Sequence, residues 1–132
     1  MRYFICTLDK INLGIPAERT ERIIPVTRMQ TAVFETDNDN GKAFISLPML
    51  FLQKDSTALH GVVLKPNDGI ETLKTVLLAP RIDIDLEIPE EHIHSLPEAF
   101  VGFFRYFRGV YFTEESIVLI LNTEKLMEKY ND

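Results

Sequence analysis

Short apolar runs, each closed off by Gly, Pro, Asn or Asp, recur along this 132-residue chain. They are Arg2–Leu8, Asn12–Pro16, Thr20–Pro25, Ala43–Leu47, Leu59–Leu64, Lys74–Leu78, Ile82–Ile88, Phe100–Phe104, Gly109–Thr113 and Ser116–Asn122. From Leu59 onward they follow at intervals of roughly 8 to 15 residues, the spacing of barrels and sandwiches rather than of helix–strand alternation. The first two read as a hairpin turning at "DKIN", Thr20–Pro25 as its extended continuation, and "ETDNDNGK" (Glu35–Lys42) as a polar turn. Two segments look helical. Pro48–Gln53 follows Ser46 and Leu47, with the proline in its first turn. The terminal "NTEKLMEKYND" offers Asn122 or Thr123 as N-cap, Glu124 at the positive end, and Leu126 with Tyr130 on one face. The fold class is therefore all-β with a short C-terminal helix docked on a barrel.

Size and charge narrow the function. A chain of this length forms one domain, 1–132, and buries enough surface to need no staples. Its 45% hydrophobic and 26% charged residues are ordinary for a soluble globular protein. A net charge of -6 argues against general affinity for nucleic acid or anionic membrane, both of which need a basic surface. Cys6, the single cysteine, lies in an apolar run and reads as a buried, inert thiol. "MRYFICTLDK" reaches Asp9 and Lys10 before a signal-peptide core accumulates, and no run approaches the ~20 apolar residues of a membrane span. A cytoplasmic, reducing compartment fits.

The stretch "APRIDIDLEIPEEHIHSLP" concentrates five carboxylates and two histidines. In an extended chain Ile82, Ile84, Leu86 and Ile88 share one face, and Arg81, Asp83, Asp85 and Glu87 the other. Same-face strand neighbours are roughly 7 Å apart, whereas a hard cation holds its oxygens at about 2.0 to 2.6 Å. Nothing in the row forces the carboxylates to converge, so a solvated face or a partner-facing acidic strip outweighs a metal or acid–base site. His92 and His94 with Glu90 or Glu91 sketch a zinc site, but no second ligand cluster of suitable spacing completes it. "FVGFFRYFRGVYF" interleaves Arg105 and Arg108 with seven aromatics. That pattern suits a core hairpin with Gly109 at a bend, an aromatic partner groove, or a stacking platform for single-stranded nucleic acid. Glycines stand singly, and no phosphate loop, nucleotide fingerprint or nucleophile elbow is present.

"YFICTLDKINLGIPAERTERIIP" resembles the opening of the CheW-like family of chemotaxis coupling proteins, with Phe4, Leu8, Ile15, Pro16, Ile23 and Ile24 in its pattern positions. "TVLLAPRIDIDLEIPEEHIHSLP" resembles that family's long strand and its Ile-x-x-Leu-Pro exit, matched by Ile93, Leu96 and Pro97. "FVGFFRYFRGVYFTEESIVLILNTEKLM" is similar to its closing hairpin and final helix. The middle departs: the family's Gly-Val-Ile-Asn-Leu-Arg-Gly falls on "ETDNDNG", with Asn40 in place of arginine, Ile45 in place of proline, and Ala79-Pro80 replacing Val-Asp. The resemblance implies two intertwined five-stranded SH3-like β-barrels sharing a hydrophobic core. It further implies a non-catalytic adaptor without cofactor, bridging a chemoreceptor cytoplasmic tip and the regulatory domain of a histidine kinase. The acidic strip and the aromatic–arginine segment themselves, not the family's contact positions, place the expected partner contacts at Asp83, Asp85, Glu87, Arg105, Tyr106 and Arg108. The alternative is a small barrel that binds a ligand or performs metal-assisted chemistry through Asp83, Asp85, His92 and His94.

Overall fold

The computed structural model describes the chain apart from residues 31, 67–72, 97–102 and 131–132, together with the side chains of 28–30, 56, 83–84 and 103–104. Among the described residues the strands form two five-stranded sheets. The first is ordered β8 (Ile82–Glu87), β1 (Arg2–Leu8), β2 (Ile11–Pro16), β10 (Ile117–Leu121), β9 (Phe107–Phe112). The second is ordered β3 (Thr20–Gln30), β6 (Ser56–Leu64), β7 (Lys74–Ala79), β5 (Lys42–Ser46), β4 (Phe34–Asp37). The chain thus begins in one sheet, builds the whole of the other, and returns through β8 to complete the first. These are the two intertwined SH3-like barrels, with the short helix α2 (Thr123–Tyr130) at the C-terminal end.

Both sheets curl, and the first closes on itself. In the first, the segment leaving β8 crosses to the far edge, where His94 and Val110 exchange two backbone hydrogen bonds of 2.8 Å. In the second, β3 and β4 are opposite edges yet nearly consecutive in sequence, which draws the two edges together, and the Ser46 amide extends the β4–β5 ladder by donating to Val33 at 2.8 Å.

Strand periodicity then sorts the apolar side chains into three clusters. Tyr3, Ile5, Ile88, Val118 and Ile120 fill the first barrel, and Phe44, Ala58, Val63, Val76 and Leu78 fill the second. Their alternate neighbours, including Cys6, Leu8, Leu119 and Leu121 from one sheet and Ile45, Val62, Leu64 and Leu77 from the other, meet in a core shared between the sheets. Burial on both faces explains why "IVLIL" and "KTVLLA" read as unbroken apolar runs instead of alternating ones. Leu126 and Met127 bring α2 onto this shared core.

Both helices are capped by side chains, the terminal one by one of the two residues expected. Ser46 Oγ accepts from the Met49 amide at 3.3 Å to start α1 (Leu47–Leu52), and Asn122 Oδ1 accepts from Lys125 N at 3.1 Å at the start of α2. Three sequence expectations are corrected. Part of the polar turn is strand β4, and only Asn38–Asn40 forms a 3-10 turn, capped by Asp37 and closed by Gly41 at φ 66. The described part of the strand expected at Phe100–Phe104 belongs to a 3-10 turn, Phe103–Tyr106; Phe100 to Gly102 lie outside the described residues. The turn lets consecutive Tyr106 and Phe107 enter the same shared core, whereas a strand would send them to opposite faces. Gly109 lies within β9 opposite Ile120 and not at a bend.

Candidate partner-binding surface

β8 carries the acidic row, and its register decides where the row points. Arg2 pairs with Glu87, Tyr3 with Leu86, Phe4 with Asp85 and Ile5 with Ile84, after which Cys6 pairs with Ile82. Asp83 is therefore the extra residue of a bulge. Leu86 turns toward the first barrel's interior, but the bulge moves Ile82 to the opposite face, against the shared core, so the predicted four-residue apolar face is broken at its first member. The side chains of Asp83 and Ile84 lie outside the described residues.

Asp85 and Glu87 are exposed on the outer face. The Arg2 guanidinium clasps Asp85, with Nε 3.1 and 3.0 Å from the two carboxylate oxygens and Nη2 closer still. Glu87 contacts the Met1 amino group. The hydrogen bond from Arg2, reinforced by its charge, holds the Asp85 carboxyl below its usual range. The exposed pair contributes little to stability, but it fixes Asp85 as an anion.

Arg108 makes a second polar node. Its Nη2 donates to both Glu90 oxygens, at 2.9 and 3.1 Å, and to the Tyr3 hydroxyl at 2.8 Å. Burial pushes the Tyr3 phenol up, with Arg108 opposing. Tyr3 has its ring in the first barrel, so this node ties the outer surface to the barrel interior.

Arg105 and Tyr106 form a third feature. Tyr106 is 5% exposed, and the Arg105 guanidinium lies 4.7 Å over its ring. The Tyr106 hydroxyl is buried and has no hydrogen-bond partner of good geometry among the described residues. Tyr130 is near enough to sense it: its phenol is raised by burial and secondarily by Tyr106. Arg105 and Tyr106 share a cleft of about 390 Å³ with Lys125, Glu128 and Lys129 of α2. Sequence reasoning missed these α2 residues, although their i, i+3 and i+4 spacing on a predicted helix was visible. It also missed His60, whose Nδ1 accepts from the Ile82 amide at 3.0 Å where the chain passes from the second sheet to the first.

The described residues of the metal reading do not assemble. His92 is exposed in the 3-10 turn Glu90–His92, while His94 sits in the barrel-closing bridge with its ring 5.6 Å from Phe112. Asp85 is clasped by Arg2, and no group of three or more His, Cys, Asp or Glu side chains gathers among the described residues. Of the described aromatics in "FVGFFRYFRGVYF", Tyr106 and Phe107 are core, Phe107 stacking on Phe51 at 5.0 Å, and Phe112 is exposed. No helix among the described residues is long and apolar enough to cross a membrane.

The Asp85 clasp gives a direct prediction. In Arg2→Ala the Asp85 carboxyl titrates at higher pH than in the parent protein, followed by carboxyl 13C NMR; an unmoved titration overturns the assignment. The sign of the stability effect follows. A carboxyl depressed in the folded state stabilises above its unfolded pKa and loses that contribution as pH falls through its folded value, so Arg2→Ala flattens this part of the acid limb.

No protein-family model matches the chain, and no curated protein matches it in sequence. Its structure is similar to that of the scaffolding protein TtCheW from Thermoanaerobacter tengcongensis, with a TM-score of 0.70 at 15% identity, covering 91% of this chain and 82% of that one. Two five-stranded barrels, a core shared between them and this likeness over nearly the whole chain establish that the protein has a CheW-like fold.

Proposed function

We propose that this chain is a single-domain, non-catalytic scaffold of the chemotaxis type, acting in the cytoplasm to couple chemoreceptors to a histidine kinase through protein–protein contacts. The observation that carries the reading is the likeness to a scaffolding protein over 91% of the chain. The chemistry of the surface is in keeping with it. Asp85, Glu87, Glu90 and Arg108 are tied into ion pairs on the outside of the first barrel, an arrangement suited to setting partner specificity by charge. In this reading Asp83, Asp85, Glu87 and Arg108 contact the partner directly, while buried Tyr106 acts by supporting Arg105.

Titration calorimetry with two fragments from the same cell, a chemoreceptor cytoplasmic tip and a kinase regulatory domain, tests it. Binding of at least one, weakened severalfold by Asp85→Lys/Glu87→Lys, is the expected result. Absence of binding to both overturns the coupling role.

A further inference from the structure

The cleft between the 3-10 turn Phe103–Tyr106 and α2 carries charge of the wrong sign for this protein. The chain bears a net -6, yet of the cleft's five described lining residues three are cationic, Arg105, Lys125 and Lys129, and one, Glu128, is a carboxylate. Among the described residues none of the three cations is held in an ion pair, in contrast to Arg2, Lys54, Lys74 and Arg108. Lys125 and Lys129 stand at i and i+4 on one helix face, where like charges repel. Cations without an ion pair among the described residues and a repelling lysine pair call for the same thing: an anion with oxygen acceptors.

We infer that this cleft binds an acidic segment of a protein partner, whose carboxylates are taken by Arg105, Lys125 and Lys129. The occupant's class follows from the walls. About 390 Å³ holds on the order of ten waters, more than one phosphate or carboxylate fills. The Tyr106 ring is buried and covered by Arg105, so among the described residues a nucleobase finds no aromatic face to stack on. What remains are cationic tips on aliphatic stems, which suit a short run of Asp and Glu. Arg105 is pre-oriented by its stack on Tyr106 and offers a planar fork, and the two lysines add point charges beside it. That the segment belongs to a protein rests on the scaffold reading; the anion chemistry does not.

The test is a titration with a fluorescent hexaglutamate peptide at low salt, with hexalysine as control. The parent protein binds hexaglutamate and not hexalysine, with amide shifts at Arg105, Tyr106 and α2. Lys125→Glu/Lys129→Glu weakens binding at least tenfold. Both lysines are exposed, and Lys125→Gln/Lys129→Gln replaces the charge reversal if circular dichroism shows that variant unfolded. Unchanged affinity in the lysine variants, or shifts elsewhere, overturns the inference; pyrophosphate binding more tightly at the same residues overturns the choice of occupant. Partner fragments separate the two proposals. If they bind the parent and the lysine variant equally, the cleft inference fails and the scaffold reading stands. If they bind neither while hexaglutamate still depends on the lysines, the scaffold reading fails and the acidic-ligand site stands.

Discussion

Leu77→Asp abolishes folding at room temperature, while Leu59→Asp, the same substitution on the neighbouring strand, leaves the protein folded. Leu77 is 0% exposed on β7, opposite Val62, and enters the core shared by both sheets. Leu59 on β6 is 48% exposed. Removing a buried leucine forfeits about 1.5 to 3 kcal/mol of burial. Placing an unpaired carboxylate there costs several kcal/mol more, or forces it to hold a proton. The sum is roughly 5 kcal/mol or above, comparable to the whole stability of a typical domain at ~5 to 15 kcal/mol. At position 59 the change stays within about 0.5 kcal/mol. Urea titration followed by circular dichroism distinguishes the two, and a Leu77→Asp protein with a parental midpoint refutes the shared core.

That core also explains which parts of the fold were legible beforehand. β1, β2, β7, β8 and β10 announced themselves because their apolar runs are bounded by turn residues, and their ends fall within about a residue or two of expectation. The β1–β2 turn was readable as well, since Asp9 is one of the residue types that tolerates its observed φ of 57. β4 was hidden because it is an exposed edge: "FETD" has only one apolar residue, Phe34, which packs on Tyr130 at 5.5 Å, a contact no local pattern encodes. The bulge at Asp83 was equally invisible, for it is set by the pairing of β8 with β1 across the chain.

The candidate surface divides in the same way. Alternation in "RIDIDLEI" correctly placed Asp85 and Glu87 outside. Their partners did not follow, because Arg2 lies 83 residues away in sequence and meets Asp85 only through the return of the chain from the second sheet. Arg108 was visible as a cation among aromatics, but its role as a link between Glu90 and the Tyr3 hydroxyl depends on how the first barrel closes.

That closure is the basis of the second large effect, a loss of roughly 2 to 4 kcal/mol in Gly109→Ala. A Cβ at Gly109 would sit 2.7 Å from the His94 carbonyl oxygen and 2.7 Å from Ile93 Cγ2. A flexible side-chain tip can move aside, but the carbonyl is itself held by the Val110 amide at 2.8 Å. Relieving the clash by backbone shifts costs about 1 to 3 kcal/mol. It also weakens the two hydrogen bonds of the bridge, each worth roughly 0.5 to 1.5 kcal/mol. For a chain of this size the melting temperature falls by roughly 10 °C. Hydrogen exchange gives the specific readout: the His94 and Val110 amides exchange faster in the variant by a larger factor than amides of β7 in the other sheet. Uniform acceleration, or none, means the bridge does not close the barrel. The expected pattern means the small residue in "RYFRG" is there because a backbone crosses it, sealing the β9 edge that would otherwise stand open to another chain.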